Sequence, residues 1–279
     1  AFARVIDGLS VHRDPHQIQS KRIDRTHLTR QRHDLHALVI ITDDQVLTAR
    51  LLKLVNSSFY GFPQRISTVT NAIVLLGFDA IRSLLLTTSV FDLFASRNKK
   101  SKQDQEKFWD HSLGCAVGAK VIGNHLRHDK IEELFVCGLL HDIGKIVEMR
   151  FLPNEFTKVT AVINKKNVLM MTAEEQVLGY SHAEIGKLLT GKWNLPVKLQ
   201  QVIAHHHQPA AAGSFITEAS IVHLADILCR ALNMGYGGDN KIPPLDKFAW
   251  QSLKIKTNAI ELIMKTMLDE YSDISTFIS

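Results

Sequence analysis

The sequence predicts an all-α protein, and three observations support that prediction. Apolar residues recur at the 3.6-residue period along most of the 279 positions, alternating strand-like runs are scarce, and the breaks between periodic stretches carry helix start and stop signals. No internal repeat interrupts this pattern.

Taken in order, residues 44–55 (DQVLTARLLKLV) form an amphipathic stretch that ends in the turn cluster NSSFYGFPQR, with Gly61 and Pro63. Residues 69–76 (VTNAIVLL) predict a short helix stopped by Gly77, a left-handed cap. A helix over 79–95 starts at Asp79 as N-cap and is apolar on more than one face, so it is largely buried. The polar run SRNKKSKQDQ, 96–105, reads as a solvated linker between two lobes.

The second lobe opens with a helix over 106–126, followed by IEELFVCGLLHD, which Gly144 is expected to end; a single further helix then covers KIVEMRFLPNEF and beyond. Ser181 and Glu184 make an S-x-x-E capping box, which places His182 in the first turn of a helix running to about Trp193. Pro196 suits the start of the helix VKLQQVIAHHH. After the loop QPAAAGSF, TEASIVHLADILCRALNM is helical up to Gly235, and the tail from Pro244 holds one or two more helices ending near Phe277.

Composition narrows the function classes. The chain is 45% hydrophobic and 22% charged, with a net charge of +5. Its basic residues are scattered, and the nearest thing to a cluster is the short run Arg97-Asn98-Lys99-Lys100-Ser101-Lys102, which argues against a dedicated nucleic-acid groove. No signal peptide is recognisable and no apolar run reaches about 18 residues, so no membrane span is expected. Cys115, Cys137 and Cys229 lie far apart inside apolar helical patterns, which predicts reduced, packed thiols in a cytoplasmic protein.

The chemistry is concentrated in histidines and aspartates. In GLLHDIGK, 138–145, His141 and Asp142 stand side by side, about 100° apart on a helix, within a stretch apolar on most sides. A buried carboxylate without a compensating cation costs several kcal/mol. A core histidine hydrogen-bonded to that carboxylate would satisfy the local pattern as well as a metal would. His111 sits among Phe108, Leu113, Cys115 and Val117, where a single histidine is more often a core residue than a ligand. Asp226 is embedded in IVHLADILCR with almost no polar face, and His223, one turn before it, is a candidate partner. A charged His182 fits poorly with the dipole at its helix N-terminus, which favours the neutral, ligand-competent imidazole. His205-His206-His207 close a helix, where cationic histidines also suit the dipole. Jointly, imidazoles and carboxylates from five helical segments point to borderline transition metals: iron, manganese, zinc or nickel. A carboxylate such as Asp142 can bridge two ions, and two ions about 3.5–4 Å apart can clamp a phosphoryl group.

The order H…HD…D, filled by His111, His141-Asp142 and Asp226, resembles the HD superfamily of metal-dependent phosphohydrolases. The stretch LTARLLKLVNSSFYGFPQRISTVTNAIVLLGFDAIRSLLL, 47–86, is similar to the HDOD branch of that superfamily, with the resemblance covering roughly 20–235. The implied architecture is an HD-like helical core with an N-terminal helical lobe. It divides the chain into the lobe (1–100), the metal-binding core (101–240) and a C-terminal helical extension (241–279). Many HDOD members lack the metal ligands and look like signalling modules, whereas this chain keeps them. Similarity to the HD-GYP phosphodiesterases implies a first metal held by His111, His141, Asp142 and Asp226. Asp142 would bridge to a second, held by His182, His206 and His207; the register 206–207 rests on HHQP resembling an HHEP-like end. Lys107, one turn before His111, replaces the glutamate of trinuclear relatives and argues against a third metal. The GYP-bearing loop is replaced by AAAGSFITEA, which argues against cyclic di-GMP as substrate.

Two functions follow from the resemblance. One is a signalling or regulatory HDOD module that keeps a dinuclear site of divalent transition metals and acts on a partner protein. The other is an active phosphohydrolase acting on a nucleotide or phosphoester. In the second, Asp142 is catalytic as the bridging carboxylate and Lys145 neutralises a phosphate oxygen. An exposed lysine at a helix junction explains Lys145 equally well.

Overall fold

In the computed structural model, residues 99–278 are described continuously, together with 52, 55, 56, 62, 64, 66–77 and 81. The helices expected over 44–55 and 79–95, and the Asp79 cap, lie largely outside the described residues. Among those described, every regular element is helical, with no strand.

Helix α1, Val69–Leu76, starts as its sequence requires: the Thr68 side chain accepts from the Asn71 amide, and Gly77 ends it at a φ of 84°. Asn56 clamps the preceding turn. Its side chain donates to the carbonyls of Leu52 and Ile66, both at 2.7 Å, and accepts from the Ile66 amide at 2.6 Å.

Helix α2, Lys99–His125, starts earlier than the sequence pattern suggests, so the second half of the polar run belongs to a helix and not to a linker. Polar residues without proline or glycine do not stop a helix that continues into a packed segment. Helix α3, Ile131–Leu140, buries every residue from Leu134 onward. The chain then turns at His141 and Asp142, and α4 runs Ile143–Phe151. Gly144 therefore lies inside the first turn of α4 and does not end α3. A Cβ there would overlap the His182 carbonyl, so this glycine allows close packing of α4 on the start of α7.

The single helix expected after Lys145 is two. Pro153 opens α5, Pro153–Lys166, and Leu152 before it leaves helical geometry with φ −128°. Helix α6 spans Met170–Leu178. Helix α7, His182–Lys192, carries the Ser181/Glu184 capping box, and α8, Val197–His205, starts after Pro196. Two 3-10 turns, Pro209–Ala211 and Gly213–Phe215, lead into α9, Ile216–Ala231. That helix stops four residues before Gly235, with Asn233 left-handed in the exit turn. Helices α10, Lys247–Leu253, and α11, Ile260–Ile278, complete the chain.

Helix α2 is the axis, packed against α3, α9 and α11, while α7 lies between α8 and α4. One continuous apolar core includes Val55, Ile66, Val69, Ala72 and Ile81 with the helices of the second half. A small satellite of Val159, Ile163, Met170 and Ala173 joins α5 to α6. The three cysteines are free and buried in the core.

Candidate metal centre

The seven candidate ligands enter the core from five elements. His111 comes from the middle of α2, His141 and Asp142 from the α3–α4 turn, His182 from the first position of α7, His206 and His207 from the residues closing α8, and Asp226 from α9. The structure brings them into two adjoining groups: Asp142, His182, His206 and His207 in one, His111, His141 and Asp226 in the other. Within each group the ligand-type atoms lie within 4.8 Å of one another. His205 belongs to neither group.

Asp142 lies between the two. Its Oδ2 is 3.5 Å from His111 Nε2 and 3.3 Å from His141 Nε2. Its Oδ1 is 3.2 Å from His182 Nε2 and 3.7 Å from His206 Nε2. The turn at 141–142 makes this possible. With both residues outside regular helix, one side chain can face two sets of partners.

Hydrogen bonds set the tautomers. His141 Nδ1 donates to the Gly138 carbonyl at 2.7 Å, and His206 Nδ1 donates to the Ile203 carbonyl at 2.8 Å. His182 Nδ1 donates to Glu174 Oε2 at 2.6 Å. In a neutral ring each of these bonds leaves the lone pair on Nε2, the atom aimed at Asp142. His182 Nε2 and His207 Nε2 also face each other at 2.9 Å.

Four of these inward atoms, His111 Nε2, His141 Nε2, His206 Nε2 and Asp142 Oδ1, are buried without a hydrogen-bond partner. Buried polar atoms are rarely left so, and several converging on one place fit a cation held by imidazole and carboxylate.

The electrostatics express the same demand for positive charge. Burial works to raise Asp142, but His141, Lys145 and the adjacent His111 ring outweigh it and hold its carboxyl well below the usual range. Burial acts likewise on Asp226, and Arg230 with His111 overcomes it. Burial would lower His111, yet Cys229, Asp142 and Asp226 hold it well above its ordinary value. His206 and His207 are pushed well below theirs, chiefly by burial and by neighbouring imidazoles. The cluster thus keeps its carboxylates charged and part of its imidazoles neutral, a combination that suits a metal.

Two expectations about partners need correction. His223 does not pair with Asp226: its Nδ1 donates to the His206 carbonyl at 2.8 Å and its Nε2 accepts from the Asp246 amide at 3.0 Å. Asp226 is held instead by Arg230 Nε at 2.9 Å and faces His111 Nε2 at 3.2 Å. The i,i+4 spacing of Asp226 and Arg230 was the available signal. Nor is Lys145 an exposed lysine. It is 0% exposed, and its Nζ donates to Asp142 Oδ2 at 2.6 Å and to the Gly237 carbonyl at 2.8 Å.

The sequence pattern also left two carboxyls unnoticed. Glu174, fully buried, accepts from both the backbone amide and the ring of His182. Glu148 is buried beside it, and burial together with the Glu174 charge pushes it up to about 10, so it carries a proton at neutral pH. Nothing in the local periodicity marks either one.

A family model described as the HDOD domain matches residues 25–209. An uncharacterised protein of Treponema pallidum (strain Nichols) is 29% identical over 202 residues; these cover 70% of this chain, which spans only 38% of that relative's length. Among solved structures, an HDOD domain protein of unknown function from Geobacter sulfurreducens aligns with a TM-score of 0.69 and 23% identity, covering 99% of this chain and 91% of that one. A candidate phosphohydrolase from Shewanella amazonensis SB2B aligns with a TM-score of 0.65 and 20% identity, covering 100% and 98%. At these identities the two structures establish a shared fold.

Proposed function

Because the chain belongs to the HDOD domain family, we propose that it is a signalling or regulatory module of that family which keeps a dinuclear site for divalent transition metals. The module comprises a helical lobe over 1–100, a metal-binding core over 101–240 and a helical extension over 241–279. His111, His141, Asp142 and Asp226 hold one ion; Asp142, His182, His206 and His207 hold the other. The observation that carries this reading is the convergence of four partnerless buried atoms, His111 Nε2, His141 Nε2, His206 Nε2 and Asp142 Oδ1, from three elements.

A regulatory role is favoured by the segment after the histidine run, where AAAGSFITEA stands in place of the substrate-bearing loop of the phosphodiesterases. In this role the occupied site orders the helices that a signalling partner reads.

The second reading, a metal-dependent phosphohydrolase acting on a nucleotide or phosphoester, is favoured by Lys145. A buried ammonium adjoining Asp142 is placed to neutralise charge on a phosphoryl oxygen. When bound, divalent ions supply Lewis acidity toward phosphoryl oxygen and water. The protein's own part is to hold the imidazoles in one tautomer, exclude solvent and present Lys145.

Elemental analysis after chelator-free, metal-supplemented purification tests the site, with about one to two equivalents expected and fewer than about 0.2 counting against it. A phosphomonoester and phosphodiester screen, run on wild type and His141→Ala, separates the two roles. Turnover lost in the variant selects the enzyme, and metal without turnover selects the module.

A further inference from the structure

Between α9 and α10 the chain runs along the edge of the candidate metal centre as a strap, residues 236–243. Its contacts there are mostly polar. The Gly237 carbonyl accepts from Lys145 Nζ at 2.8 Å and from Arg230 Nη2 at 3.2 Å. Asp239, buried, accepts from the Met170 amide at 2.8 Å, from Arg230 Nη1 at 3.2 Å and from the Lys241 amide at 2.8 Å. Gly238 passes so close to Met170 that a Cβ would overlap its sulfur, and its φ is 103°. The upstream end is anchored independently, by the Tyr236 amide donating to the Lys107 carbonyl at 2.9 Å. The small space beside His182 and His207 is walled by Asp239 and Pro243 of the strap and by Met170 and Met171 opposite.

Lys145, buried, and Arg230, partly buried, are therefore two cations whose remaining donors are taken up by strap oxygens, at the edge of the imidazole–carboxylate cluster. A peptide carbonyl is a weak occupant for such a pair. An oxyanion makes charge-assisted bonds roughly twice as strong as neutral ones, and guanidinium with ammonium is a common phosphate-binding pair. We propose that Lys145 and Arg230 form a phosphate-binding cradle, that the Gly237 carbonyl occupies the place of a phosphoryl oxygen in it, and that strap 236–243 is an internal ligand which an incoming phosphoryl group displaces. The proposal rests on the metal-site reading for its biological meaning and narrows the ligand to a phosphoryl compound. It also links ligand to metal, because Arg230 holds Asp226 Oδ1 at the same time as Asp239. A ligand that takes the cradle must bind the open strap better than the closed one, and only that difference can shift the population.

The test is amide hydrogen exchange across 236–243 and at Met170 in the protein as purified, with and without inorganic phosphate, alongside phosphate affinity in wild type and Asp239→Ala. Phosphate should speed exchange in the strap about tenfold, and unlatching by Asp239→Ala should tighten phosphate binding about tenfold, since the closed population no longer competes. Phosphate that binds without changing strap exchange overturns the proposal, as does an absence of phosphate binding in both proteins. If Asp239→Ala does not fold, the wild-type exchange result decides alone. A protein that retains metal but fails these measurements loses only the strap reading. One that takes up no metal loses the proposed function, while the same exchange data still judge the cradle.

Discussion

Lys145 Nζ lies 2.6 Å from Asp142 Oδ2, with both side chains cut off from solvent. This pair ties the α3–α4 turn to the strap, because the same ammonium also holds the Gly237 carbonyl. Breaking a buried pair from one side leaves the other charge uncompensated, which costs more than the pair contributes.

Asp142→Ala should therefore destabilise the protein by about 3–5 kcal/mol and abolish metal uptake. Thermal melting and elemental analysis check both effects together. Wild-type melting with metal retained would show that Asp142 is neither a ligand nor a structural counter-ion.

The histidine run provides a register test. His206→Ala and His207→Ala should each lower metal content, whereas His205→Ala should leave it unchanged, because His205 lies in neither ligand group. Metal stoichiometry of the three single variants is the measurement. Loss in His205→Ala and His206→Ala with His207→Ala unaffected would move the register by a residue.

Glu174 accepts from His182 Nδ1 at 2.6 Å and so keeps the lone pair on Nε2. Carboxylates in this position typically contribute 10–100-fold to metal affinity, and Glu174→Ala should weaken binding by about that factor. Chelator competition measures it, and an unchanged affinity would remove Glu174 from the site's support.

Glu148 makes stability depend on pH. Its carboxyl is raised to about 10 by burial and by Glu174, so above the unfolded value of about 4.5 the folded state keeps a proton that the unfolded chain releases. This contribution to stability falls as pH rises from about 4.5 and levels off near 10. Glu148→Gln keeps a donor toward Glu174 without that cost, and should raise stability at pH 8 by on the order of 1–3 kcal/mol, with a smaller gain near pH 5. Denaturant unfolding at the two pH values reads the difference. A destabilised variant at pH 8 would mean that Glu148 is ionised in the fold.

What could be read from the sequence was local. The Ser181/Glu184 box, the start of α8 after Pro196, the Gly77 stop and the burial of three reduced thiols depend on residues a few positions apart or on simple polarity. Helix ends failed where local signals competed with packing: Gly144 looked like a stop but is small because α7 presses on it. The residue types of the candidate site were visible as ionisable groups in apolar surroundings, which is unusual without a cation. Their assembly was not, because His111 and Asp226, or Lys145 and Gly237, are far apart in the chain, and no periodicity encodes such distances. Composition and period alone thus determined an all-helical chain with buried charge in need of compensation. The tertiary structure decided that Arg230 and not His223 holds Asp226, that Lys145 is buried, and that the Gly237 carbonyl and Asp239 meet Lys145 and the Met170 amide. Those pairings arise only when distant helices pack.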